Sequence, residues 1–351
     1  MPKKTRKVSA LLAAVCMALT SASCGGDPQP EDSGTPETPA VSTTPEESTT
    51  TVKTTTAPVL VTTTTTTLPP LPVMEEYEED KSLYEDMIGW IKVEGTPIDY
   101  PCVQGKDNKY YLEHNFKKEE ERNGACFIDS QCDFTDTRKR PANTIIYGHN
   151  MMQGPSFAKL TSYCPWYSCG FGATSLYSLR QYLTAPTVTF DTIWEKGTYK
   201  VFAAMYVNTE EKHGEVFKYY KQRTIANEGE FYDYIGNIMD RSQFYTDVDL
   251  EYGDELLTLS TCYYPLGSNV DTRYVVFARR LREGESPEVD TSKAYINPSP
   301  LYFDYFYSVN GGSWAGRNWD TSKVKGFDEY YRTHETTAPA DTAAETTSPA
   351  Q

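Results

Sequence analysis

Short apolar runs separated by turn residues dominate the middle of the chain. Such runs appear at about residues 97–103, 125–129, 143–149, 187–190 and 198–206, and again in the two halves of 256–281. Short strands bounded by turn signals predict a mainly β domain. Helical spacing appears in a few places. Leu83, Met87, Ile88 and Ile91 predict an N-terminal helix, and residues 157–163 a short one. Phe231, Ile235, Ile238 and Met239 predict an amphipathic helix in the long connection before the last strand pair. The domain is expected to run from 74 to 283, with residues 164–181, rich in Cys, Tyr, Gly and Ser, as an inserted loop.

The pattern vanishes at both ends. Residues 25–73 are mostly Thr and Pro and cannot bury enough apolar surface to offset chain entropy, so a semi-stiff disordered linker is expected. Residues 334–351 read as a disordered tail. Between domain and tail, 284–333 carries Tyr302, Phe303, Tyr305, Phe306, Tyr307, Trp314 and Trp319. Two readings stay open for it: packing against the domain, or exposed aromatics that contact a wall polymer or partner. At the start, Lys3, Lys4, Arg6 and Lys7 precede an apolar run too short for a membrane span of about 17–25 residues. Residues 1–24 therefore read as a signal peptide. Ser21-Ala-Ser-Cys24 resembles a lipobox, although Ser21 stands where that pattern prefers leucine. Lipidation of Cys24 is expected, with ordinary cleavage or an uncleaved anchor as alternatives.

A formal charge of −16 argues against nucleic acid as a partner, because binding phosphate needs a basic face. Eight cysteines divide by position. Cys16 and Cys24 belong to the export region, Cys102 and Cys126 to apolar strand patterns, and Cys132 has no evident partner. Cys164 and Cys169 flank a short loop and are expected to pair outside the cytoplasm. No Cys/His spacing fits zinc, so no structural metal is expected.

Three residues at strand ends carry chemistry. One apolar strand ends on Ser260-Thr261-Cys262, the next opens at Arg273, and the run Asn143-Thr-Ile-Ile-Tyr-Gly-His149 ends on a histidine. A thiolate nucleophile, an imidazole proton carrier and a fixed cation for a developing oxyanion suit acyl transfer. The motifs around these residues, TLSTC, YGHNM and TRYVVFARR, closely resemble the class B sortases, transpeptidases of the outer face of the Gram-positive cell membrane. The resemblance continues through residues 89–104, 107–112 and 124–129 and covers about 74–283.

It implies an eight-stranded sortase-type β-barrel, working without a cofactor, with an N-terminal helix and a helix in the long connection before the cysteine strand. It implies His149, Cys262 and Arg273 as catalytic residues and Asn108, Leu112 and Ser260 as substrate contacts. Its expected partners are secreted proteins with a C-terminal sorting motif, and a peptidoglycan or pilin amine as acceptor. Competing readings are a hydrolytic cysteine protease, an L,D-transpeptidase and a non-catalytic binding lipoprotein. The local signature of the first and the histidine just before the cysteine of the second are missing, and an intact triad argues against the third.

Overall fold

β-branched and aromatic residues dominate the strands, and tertiary pairing decides which of the short runs become barrel wall. The computed structural model describes residues 68–151, 156–165 and 179–334. The export segment with Cys24, nearly all of the linker, most of the 164–181 loop with Cys169, and the tail beyond 334 lie outside the described residues.

In chain order the elements are α1 (Glu78–Leu83), β1 (Met87–Lys92), β2 (Asp99–Gln104), β3 (Phe127–Ile128), β4 (Asn143–Tyr147), α2 (Arg180–Thr184), β5 (Thr187–Thr192) and β6 (Thr198–Asn208). They continue with α3 (Glu228–Arg241), β7 (Phe244–Tyr245), β8 (Leu256–Cys262), β9 (Thr272–Arg280), β10 (Tyr295–Ile296), α4 (Asp304–Asn310) and α5 (Phe327–His334). Eight strands close into a barrel in the order β1-β2-β3-β4-β8-β9-β6-β5, with β5 returning to β1. Pairing is antiparallel except at β2–β3 and β4–β8. The fold is thus mainly β, an eight-stranded barrel with α1 before it and α3 in the connection ahead of the cysteine strand.

One expectation is corrected. Leu83, Met87, Ile88 and Ile91 do not share a helix: α1 stops at Leu83, which is exposed, and Met87 opens β1. Met87, Gly89 and Ile91 are buried while Ile88, Trp90 and Lys92 are half-buried, the two-residue period of a strand. Neighbours on both sides, β2 and β5, give that backbone its hydrogen bonds and override the helical spacing.

Alternation on β8 and β9 separates two cores. Leu257, Leu259, Tyr274, Val276 and Ala278 belong to the barrel interior. Leu256, Val275 and Phe277 belong to an outer core, where Phe231, Ile235 and Ile238 of α3 cover them. α3 begins where Asn227 accepts from Glu230 N–H at 3.0 Å, an N-cap that satisfies an end donor.

The C-terminal extension packs. Trp319 and Phe327 join the outer core, with Phe327 edge-on to Tyr232, and Arg317 forks onto Asp240 with two 2.9 Å bonds. Tyr302, Phe303 and Phe306 are buried, with Phe303 5.5 Å from the ring of Tyr206 on β6. No helix among the described residues is long and apolar enough to cross a membrane.

Candidate active site

Cys262 is the last residue of β8 and Arg273 stands opposite it on β9, so strand register alone brings thiol and guanidinium together. Both side chains lie on the outer face of the barrel. The cover from α3 and its approach ends at Tyr219, whose hydroxyl meets Ser260 Oγ at 2.7 Å, one alternation before Cys262. Beyond that point the face opens.

The other described cysteines differ in surroundings. Cys102, Cys126, Cys132 and Cys164 are buried, and Cys262 alone among the described cysteines is partly exposed. Burial pushes the Cys132 thiol up to about 12 and the Cys102 and Cys126 thiols further in the same direction, which makes them poor nucleophiles.

Arg273 is held by its own strand end. Nη1 donates to Asp271 Oδ1 and, at 2.9 Å, to the Thr272 carbonyl. Burial opposes its charge, but Cys262 and the hydrogen bond and charge of Asp271 outweigh that and fix it as a cation. Burial likewise works to lift the Asp271 carboxyl, and Arg273, with the hydroxyls of Thr209 and Tyr264, holds it below the usual range. Tyr264 feels both Cys262 and Asp271; burial, then Cys262, push its hydroxyl well above the ordinary phenol value. It stays a donor at neutral pH.

His149 follows β4, which lies parallel to β8 with Tyr147 opposite Ser260. The pairing runs one residue further through Gly148 N–H to the Ser260 carbonyl at 3.1 Å. Gly148 is required by close approach, since a Cβ there would lie 2.7 Å from the Phe157 ring. The His149 carbonyl accepts from Phe157 N–H at 2.8 Å and from Ser156 Oγ at 2.7 Å, which pins the backbone. Its Nε2 lies 2.7 Å from the Leu112 carbonyl. A carbonyl only accepts, so Nε2 carries the hydrogen and Nδ1 is the nitrogen open to proton exchange. Asn150 then ties the loop to the end of β8, its amide donating to the Cys262 carbonyl at 2.7 Å.

The expected substrate contacts fall in different environments. Leu112 is exposed and its carbonyl orients His149. Asn108 spends both ends of its amide on the neighbouring turn, donating to Asp129 Oδ2 at 3.0 Å and accepting from Ser130 N–H at 2.7 Å. Ser260 is buried under Tyr219.

Asp129 escaped the sequence reading. It is fully buried and collects Asn108, the Tyr147 hydroxyl at 2.8 Å and two bonds from Arg223, the shorter at 2.7 Å. Such a set ties β3, β4 and the α3 approach into one frame around the site. Asn150, Tyr264 and Asp271 also went unmarked, although YGHN and the residues between Cys262 and Arg273 carried them in plain view. Among the described residues no cluster of metal-ligating side chains occurs.

Comparison with known proteins agrees with this geometry. The sortase domain model matches residues 91–281. Sortase B of Listeria monocytogenes is 33% identical over 193 residues, 54% of this chain and 68% of that protein. Sortase B of Staphylococcus aureus is 27% identical over 210 residues, 60% of this chain and 76% of that protein. A Staphylococcus aureus sortase B–substrate complex superposes with a TM-score of 0.50 at 26% identity, covering 60% of this chain and 87% of the other. Strand-end thiol, facing arginine and parallel-paired histidine loop thus coincide with the matched segment, and the chain belongs to the sortase family, as a cysteine transpeptidase of class B.

Proposed function

We propose that Cys262 attacks the carbonyl of a C-terminal sorting motif in secreted proteins and holds the acyl group as a thioester until an amine takes it. The observation that carries this is the Cys262–Arg273 register pair, with the His149 loop bound to the same strand end through Asn150. The sulfur–carbon bond forms as the peptide C–N bond breaks. His149 Nδ1 takes the Cys262 thiol proton as the sulfur attacks, gives it to the departing amine, and later takes one from the incoming amine. Arg273 donates to the oxyanion or the substrate backbone with a preorganised planar fork. The relative in Staphylococcus aureus was solved as a substrate complex, which supports a peptide in the corresponding open face.

Motifs beginning Asn-Pro are the first candidates, with a peptidoglycan or pilin amine as acceptor. The enzyme works at the extracytoplasmic face of a Gram-positive membrane, tethered through Cys24 by a lipid or through an anchor. Metabolic labelling with a fatty-acid analogue should mark wild type and spare Cys24→Ala; equal labelling sinks the lipid tether. Peptide mapping without reductant reads the proposed Cys164–Cys169 bridge, and two native thiols refute it.

The decisive experiment is mass spectrometry of the full chain with Asn-Pro-type peptides. An adduct on Cys262 is expected, none in Cys262→Ala, and a loss of roughly 10²–10⁴-fold in His149→Ala. An adduct elsewhere overturns the mechanism.

A further inference from the structure

The extension after β9 lies beyond the segment matched by the sortase model, yet one of its helices returns to the residues behind the catalytic arginine. Start from Arg273 and move outward. Asp271, which holds Nη1, is itself gripped by the end of β6: Thr209 Oγ1 donates to its Oδ2 at 2.5 Å and Thr209 N–H to its carbonyl at 3.1 Å. The Asp271 N–H donates to Glu210 Oε2 at 3.3 Å. Glu210 in turn faces two cations or potential cations, Lys212 Nζ at 2.7 Å and His213 Nδ1 at 3.2 Å.

His213 sits on a tight turn, with its N–H on the Glu210 carbonyl at 2.9 Å. Its Nδ1 is buried and in contact with Glu210 without hydrogen-bond geometry, so hydrogen bonding alone does not fix the ring. What covers the ring is Tyr305 of α4, at 4.9 Å between centroids. The next residue records how closely α4 is seated. Gly214 has φ +114°, and a Cβ there would come within 2.7 Å of Asp304 N. The start of α4 is anchored independently, through Phe303 on Tyr206.

We propose that Tyr305, with His213, is a positioning residue for Arg273, acting through Glu210 and Asp271, so that the C-terminal extension completes the active site from behind. The inference rests on the catalytic reading of Cys262 and Arg273. It does not need the extension to touch substrate. Residues 209–214 link the two regions: one side carries the aspartate clamp, the other the seat of α4.

The test uses the full chain and two readouts: peptide-adduct formation, and the rate at which iodoacetamide alkylates Cys262 at about pH 7, located by mass spectrometry. Alkylation reports the thiolate beside Arg273 and needs no sorting peptide. Tyr305→Ala should slow both by roughly 2- to 10-fold, the scale of coupling within one network, while thermal melting stays put. Tyr305→Phe keeps the ring and should restore both rates. In an Asp271→Asn background, Tyr305→Ala should add nothing, because the path to Arg273 is already cut.

Unchanged alkylation in Tyr305→Ala overturns the proposal, and so does an equal loss in the Asp271→Asn background. If Tyr305→Ala fails to fold, His213→Gln carries the same comparison. If wild type forms no peptide adduct while the alkylation differences persist, the sorting reading fails and the positioning role stands.

Discussion

Two arginines mark the two ends of β9, on the same outward face, and they live in opposite conditions. Arg279 stands across from Leu256, has no exposed side-chain surface, and meets Asp249 at 2.7 Å, Glu285 at 2.5 Å and Asp254 at 3.9 Å. Arg273 stands across from Cys262, is 23% exposed, and has Asp271 as its one carboxylate among the described residues. A guanidinium surrounded by carboxylates has its donors used and serves structure. One clamped through a single Nη keeps the rest of its fork for a partner not yet present. Val275 and Phe277, buried beneath α3 between them, keep the two regimes apart.

The strongest way to break this comparison is one substitution at each arginine. Arg273→Lys keeps charge but loses the planar fork, and adduct formation should fall by roughly 10²–10³-fold, on the scale of removing an oxyanion donor, with little change in melting. Full activity in Arg273→Lys would overturn its assigned role. Arg279→Met should do the reverse. Removing the buried partner of several carboxylates costs about 3 kcal/mol of stability, read by denaturant unfolding, while the per-molecule rate of the folded fraction holds. Equal losses of rate and stability at both positions would erase the distinction.

A smaller effect sharpens the catalytic end. Asn150→Ala removes one neutral hydrogen bond to the Cys262 carbonyl, about 1 kcal/mol or roughly 5-fold in acylation rate. The smallest effect concerns pH at the structural end. The Arg279 hydrogen bond, against burial and with help from Lys200 and Arg282 N–H, holds the Glu285 carboxyl well below its usual value of 4.5. A depressed carboxylate contributes stability that is whole above the unfolded value and is lost as pH falls through the folded one. Melting temperature should therefore drop more steeply in wild type than in Glu285→Gln as pH falls below about 4.5. Parallel curves would show that this contact does not titrate with folding.

The catalytic end was the more legible of the two in sequence. Cys262 and Arg273 flank one hairpin, and His149 ends a β-branched run, so local pattern sufficed. Their support was not legible because it depends on register between distant strands. Nothing near Asn150 says that its amide will meet the carbonyl of Cys262, and nothing near Asp129 says that Arg223 will arrive. The barrel strands were visible as apolar runs, while β1 was misread because Leu83 and Met87 share a helical spacing across the turn that ends α1. The Arg279 cluster was missed for the same reason as Asp129. Asp249 and Asp254 precede β8, Glu285 follows β9, and only the pairing of those strands brings all three to Arg279.

The parallel pairing of β4 with β8 has a consequence in time. Asn143 bonds to Thr258 across 115 positions of sequence, and His149 gains its place beside Cys262 only when those two strands meet. Long-range parallel contacts carry a large loop-closure cost and form slowly. The half of the chain that carries His149 must therefore wait, with the β8-facing edge of β4 unpaired, for the half that carries Cys262. A chain emerging N-terminus first is thus inert as an acyl-transfer catalyst until its last third has arrived, and an assay of activity during refolding would report the closing of the barrel itself.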